Sequence, residues 1–231
     1  MNKPKKIVAG LLWQIGLGPL FRAVYEPKRL AICYHSITDS GQYDHIRIAI
    51  KDFTYHVEYL AARGYRFVKF SELASAQGRV AAIYFDDGFH DIFTNAKQIL
   101  EQKNIPATLF VTTAYADGAR DPASYASWDE IAALGGDWEI GSHSVSHRKL
   151  TKISKEEVRQ EMAESKRIIE AKIGRIVTVF SYPHGRASGE TEVIAREVGY
   201  AMTTASKSFY KVRPDPDDSL EVFYWKTLKL W

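Results

Sequence analysis

The sequence contains one cysteine, Cys33, so no intramolecular disulfide braces the fold. Cys33 lies in an apolar, strand-like run and reads as a buried thiol rather than a nucleophile. Runs of like charge are also missing. Lys and Arg total 31 against 28 Asp and Glu, and the net +3 is scattered, so nucleic acid is not an implied partner. No Pro-, Gly- or Ser-rich linker, composition shift or solenoid-length repeat divides the chain. With 45% hydrophobic residues, it can bury one substantial core, expected over residues 28–231. A long hydrophobic span is lacking too. The apolar stretch 7–21 follows Lys3, Lys5 and Lys6, is interrupted by Gln14, Gly16, Gly18 and Pro19, and is short for a bilayer. It has the first two parts of a secretory signal without a small-x-small cleavage site. Residues 1–27 are therefore expected to lean on a membrane surface or to pack as a helix on the domain's flank. A cell-envelope location is favoured and a cytoplasmic one stays open.

Two short segments carry the chemistry. The apolar run Val80–Phe85 ends abruptly in Asp86, Asp87 and Gly88, as a buried strand does when its C-terminal end delivers side chains to a site. Further on, His143 and His147 are four residues apart, a spacing that lets both imidazoles face one ion from a helical turn or a tight loop. One carboxylate with two imidazoles makes an open metal site, and a second carboxylate is left free to act as a base. Each half has a plainer reading. Asp-Asp-Gly is also a common turn, and a His pair at this spacing can be two exposed helix residues. Their joint occurrence after strand-like runs points to a metal-dependent hydrolase.

The remaining signals alternate between strand and helix. Strands are expected at Leu30–Tyr34, Arg66–Phe70, Val80–Phe85, Ala107–Thr112, Trp138–Ile140, Ile176–Tyr182 and Ala201–Thr204. Helices are expected at Lys51–Arg63, Ser71–Gly78, Asp91–Lys103, Ser127–Leu134, Ser154–Ile173 and Thr191–Val198. Of these, Ser154–Ile173 is the clearest, with a Ser154/Glu157 capping box and Gly174 as its stop. Alternation of this kind implies an α/β fold, a parallel sheet covered by helices, open or closed as a barrel. Its sites lie at the C-terminal ends of the strands, where His35, Asp86, Asp87 and the Pro183–Gly185 loop fall. His45, His56 and His90 read as ordinary, His56 as an exposed helix residue and His90 as solvent-facing. Asp91 is expected to cap the helix it opens.

These motifs together resemble the polysaccharide deacetylases, carbohydrate esterase family 4 with its NodB-like domain. The family's strand ending in Phe-Asp-Asp-Gly is matched by Phe85–Gly88, its His-Ser/Thr-x-x-(x)-His by His143–His147, and its Pro-Tyr-Gly motif by Tyr182-Pro183-His184-Gly185. The resemblance covers about residues 28 to 205 and implies a single-domain distorted (β/α) barrel of parallel strands. It further implies hydrolysis of N-acetyl groups on amino sugars. The cofactor implied is one divalent metal ion, usually zinc, with Co2+, Ni2+ or Mn2+ as alternatives. Carried over by residue, Asp87, His143 and His147 are the ligands and Asp86 the general base. The His184 backbone N–H, in the loop with Pro183 and Gly185, helps hold the oxyanion, and Tyr182 and Trp128 form groove walls.

Two departures stand out. Many members carry an arginine two residues before the motif's proline, facing the base; here that position is Ser181. The family's C-terminal Leu-x-His, whose histidine serves as general acid, is absent, and no histidine follows His184. The subgroup acting on poly-N-acetylglucosamine places the acid on an N-terminal Tyr-His, matched here by Tyr34-His35, which assigns the acid to His35. The plain alternative is a buried histidine bonded to a backbone carbonyl. A carboxylate from Asp215–Asp218 could orient His35, although that patch reads more simply as a solvated loop. Three rival functions remain at this level: a sugar deformylase or esterase, a catalytically weak carbohydrate-binding module, and a sugar-nucleotide glycosyltransferase.

Overall fold

The structure is a computed structural model that describes residues 28–41, 46–121, 123–205 and 228–230. The basic and apolar segment 1–27 and the Asp215–Asp218 patch lie outside these residues. No helix among the described residues is long and apolar enough to cross a membrane.

In chain order the elements are β1 (Arg29–Tyr34), β2 (Ser36–Ile37), β3 (Arg47–Ile48), α1 (Ile50–Ala62), β4 (Arg66–Phe67) and β5 (Val80–Phe85). A π-helical turn, Ile92–Ala96, leads into α2 (Lys97–Gln102). Then come β6 (Ala107–Val111), α3 (Thr113–Ala116), α4 (Trp128–Ala132), β7 (Trp138–Ser142) and α5 (Lys155–Ile173). The described chain closes with β8 (Val179–Ser181), α6 (Gly189–Glu197), β9 (Met202–Thr204) and β10 (Leu228–Leu230). The main sheet runs β1-β5-β6-β7-β8-β9-β10. Its neighbours are parallel as far as β9, and β10 joins β9 antiparallel. Strand β4 pairs with the start of β5, Arg66 opposite Val80, ahead of the point where β6 joins at Ile83.

The sheet curls into a barrel-like shape, with an apolar layer on each face. Along β5, Ala81, Ile83 and Phe85 pack outward under the helices. The alternate residues Val80, Ala82 and Tyr84 join Cys33, Phe110, Val179 and Met202 inside the curl. A strand buried on both faces must be apolar at every position, which explains the unbroken run ahead of Asp86. Curling brings distant strands together: the Tyr84 hydroxyl on β5 lies 3.3 Å from Thr204 Oγ1 on β9, four strands along. The interior is tight at Gly141 on β7, where an added Cβ would stand 2.5 Å from the Phe110 ring and 2.7 Å from Val179. Gly141→Ala is therefore expected to destabilise the fold by about 1–3 kcal/mol through overpacking. A fall in melting temperature of about 2–4 °C per kcal/mol would register it; an unchanged midpoint would show that Phe110 yields freely.

Local chemistry sets the clearest helix. Ser154 Oγ accepts from the Glu157 N–H, the Glu157 carboxylate accepts from the Ser154 N–H, and Gly174 stops the helix with φ of 66°. Ser127 caps α4 in the same way with Glu130. Other expectations need correction. The helix expected at Ser71–Gly78 is only a single 3-10 turn, Phe70–Glu72, followed by turns. Asp91 does not cap its helix. Its carboxylate instead accepts from the Ser36 hydroxyl at 2.5 Å and the Ile37 N–H at 3.3 Å, clamping the segment that follows His35.

His56 is buried rather than exposed, at 7% exposure, with Nδ1 3.0 Å from the Tyr34 hydroxyl. Burial holds its pKa at about 4, below the ordinary imidazole value. The unfolded chain thus binds a proton that the folded chain refuses. The stabilisation is present above the unfolded pKa and is lost as pH falls from about 6.5 to about 4. The loss should be on the order of 3 kcal/mol. Urea denaturation at pH 7.5 and 4.5 should show a smaller pH difference for His56→Gln than for the wild type. Equal differences would contradict the assignment.

Candidate active site

All the candidate polar residues converge where the parallel strands end. β1 delivers His35, β5 delivers Asp86 and Asp87, the chain leaving β7 carries His143 and His147, and β8 leads into Pro183–Gly185. Asp87 Oδ1 lies 3.2 Å from His147 Nε2 and 3.7 Å from His143 Nε2. The three ligand atoms lie within 4.8 Å of one another. His143 Nδ1 is 2.7 Å from the Ser181 carbonyl, to which it donates, leaving a lone pair on Nε2. Burial pushes the His143 pKa down to about 3, and burial with the neighbouring imidazoles takes His147 to about 2. Asp87 is raised to about 7, by burial first and then by Asp86. Lone pairs of neutral imidazoles thus face a buried carboxylate oxygen with no hydrogen bond of its own. That arrangement is unfavourable until a cation occupies it, and the donor set fits a divalent ion.

Fifteen residues downstream, Glu161 on α5 fixes the imidazole loop. Its carboxylate accepts from the backbone N–H of Val145 and of Ser146, both at 2.9 Å, and from the Ser146 hydroxyl. The pair therefore sits on a tight loop rather than on a helix. Left-handed backbone recurs here in non-glycine residues: Asp87 (φ 72°), Ser144 (69°), His147 (57°) and His184 (57°). Such conformations are sparsely populated and persist where surrounding structure enforces them.

Asp86 is turned away from this cluster. It is 3% exposed, its Oδ2 accepts from the Cys33 thiol at 3.4 Å, and its Oδ1 makes no hydrogen bond. Burial raises its pKa, while His35, the Ser181 hydroxyl and the Cys33 thiol pull the other way. Among the described residues, no arginine acts on it alongside these three groups. His35 is half-buried and lies close enough to influence both Asp86 and His147.

One expected groove residue, Tyr182, is placed differently. Tyr182 is 1% exposed and belongs to the outer core, with its hydroxyl donated to the Thr191 carbonyl. Its ring face is not available to a substrate, because a residue that ends a strand buried on both sides is itself buried. Trp128 donates Nε1 to Asp117 at 2.7 Å and lies under Lys172. The wall beside Asp87 is built instead by Tyr115 and Tyr125, with ring centroids 4.6 Å apart, and Tyr115 also reaches the His147 ring at 5.9 Å. With His90, Ser127 and Glu130 they line a cavity of about 360 Å³. His90 pairs with Glu130 at 3.0 Å rather than facing solvent alone. The His184 ring lies 4.5 Å from His147, and its Nε2 donates to the His147 carbonyl at 3.1 Å. Pro183 and Gly185 are buried on either side of it.

Residues 74–203 match the polysaccharide deacetylase family model. The chain belongs to the polysaccharide deacetylase family. YxkH of Bacillus subtilis (strain 168), designated a polysaccharide deacetylase, is 29% identical over 185 residues. The match covers 77% of this family member and 64% of YxkH, so the chain spans less than two thirds of that relative. Among solved structures, the Streptococcus pyogenes deacetylase PplD, in complex with acetate, superposes with a TM-score of 0.67 at 21% identity. It covers 74% of this chain and 80% of PplD. IcaB from Ammonifex degensii gives 0.67 at 21% identity, over 75% and 82%. These structures share the curled parallel sheet of this deacetylase family member.

Proposed function

We propose that the chain is a metal-dependent hydrolase that removes N-acetyl groups from amino sugars of a poly- or oligosaccharide, or of a lipid-linked sugar. The observation that carries this reading is the convergence of a carboxylate and two neutral imidazoles, Asp87, His143 and His147, beside a separate buried carboxylate, Asp86. Asp87, His143 and His147 would hold one divalent ion, zinc being the first choice for a site of two imidazoles and one carboxylate. When bound, the ion supplies a water of lowered pKa and polarises the amide carbonyl. Asp86 accepts the proton of the attacking water; its raised pKa suits a base that must later release that proton. The backbone N–H of His184 meets the oxyanion as charge develops. His35, beside Asp86, protonates the leaving nitrogen, which is otherwise too basic to depart.

The test is mass-resolved release of acetate from a panel of N-acetylated oligosaccharides, with and without chelator. Acetate that appears only without chelator supports the reading. Its absence across the panel, from metal-loaded protein, would overturn it.

His35→Ala should keep the metal and most of the substrate affinity but cut turnover by about two decades or more. The deficit should shrink for an acetate ester of a phenol, whose leaving group departs without a proton. If amide and activated ester slow equally, His35 is structural and His184 is the next candidate for the acid.

A further inference from the structure

We propose that Cys33, His35 and Asp86 form a second cation site, for zinc or a softer divalent ion such as cadmium, distinct from the Asp87–His143–His147 cluster. The placement follows from strand register. β1 and β5 run parallel with Cys33 opposite Tyr84 and Tyr34 opposite Phe85, so the next step sets His35 beside Asp86. Side chains alternate along both strands, and Cys33 and Tyr84 already face the interior of the curl. His35 and Asp86, two residues further on, stand at the mouth of that interior with the Cys33 thiol as its floor.

The dimensions suit an ion. The sulfur lies 3.4 Å from Asp86 Oδ2 and 4.0 Å from His35 Nδ1, and the three ligand atoms lie within 4.8 Å of one another. Bonds of about 2.0–2.3 Å in a tetrahedral site put neighbouring ligand atoms about 3.5 Å apart. An independent sign is the second Asp86 oxygen, Oδ1, which is buried without a hydrogen bond. Binding exchanges the thiol proton, now on the carboxylate side of Cys33, for the ion: the S–H bond breaks, a metal–sulfur bond forms, and the proton leaves to solvent. Thiolate and carboxylate together offset a 2+ charge. The sulfur selects zinc or cadmium over magnesium or calcium, which prefer all-oxygen sites.

Resting on the functional reading above, occupation of this site removes the base and the acid together, so excess zinc becomes an inhibitor. The test uses the full chain and cadmium. Wild-type protein should bind two equivalents, one of them producing the ultraviolet thiolate-to-cadmium charge-transfer band. His143→Ala/His147→Ala should bind one equivalent and keep the band. Cys33→Ser should bind one equivalent without it. In acetate release, Cys33→Ser should need about tenfold more zinc for half inhibition. Lack of the band in saturated wild type overturns the proposal without any variant, as does unchanged zinc inhibition in Cys33→Ser. The band is read without turnover, so failure of the deacetylase reading leaves this result separately decided.

Discussion

His143→Ala should lose tight metal binding and measurable acetate release together. The imidazole is buried and its Nδ1 is committed to the Ser181 carbonyl, which holds Nε2 toward Asp87. Asp87 would then face His147 alone across 3.2 Å, leaving a two-ligand site open to solvent. Metal analysis after dialysis should find the Asp87–His143–His147 site of the variant below one tenth of its wild-type occupancy, on the rule that structural loss of one ligand costs at least as much as loss of an outer partner, about 10–100-fold. Full occupancy with activity lost would show that His143 serves chemistry rather than binding.

Asp86→Asn separates the two adjacent aspartates. Asparagine keeps the shape and still accepts a hydrogen bond from Cys33, so the fold and the ion should both be retained. What is removed is the ability to take a proton, and turnover should fall by about two to four decades. Metal content and turnover measured on one preparation decide the matter. Loss of the ion held with His143 and His147 in this variant would mean that the roles of Asp86 and Asp87 are exchanged.

Much of this architecture can be read from the sequence because its signals are local. Ser154, Glu157 and Gly174 delimit α5 within one turn at each end, and a six-residue apolar run is long enough for β5 but short for a helix. The carboxylates and imidazoles are legible for a related reason: strand ends in a parallel sheet aim at one place. What cannot be read is tertiary. Nothing near Val145 or Ser146 announces that Glu161 will hold both backbone N–H groups. Tyr182 looks like a sugar platform by residue type, but the fold buries its ring and its hydroxyl is donated to the Thr191 carbonyl. The strand expected from Ile176 starts only at Val179, because Ile176 stands 82% exposed before the chain enters the sheet. His56 is misjudged from its polar neighbours Glu58 and Tyr59, since its partner, the Tyr34 hydroxyl, is 22 residues away.

The brace from Glu161 and the left-handed turns at Asp87, Ser144 and His147 also bear on the entropy of metal capture. In a small zinc-folded domain the ion must organise a floppy chain, so most of its binding energy is consumed in ordering and chelation unfolds the protein. Here hydrogen bonds and a two-layered core have already imposed that order. The ion would meet a finished cradle, and its loss would silence the chemistry while leaving the scaffold standing, ready to be reloaded.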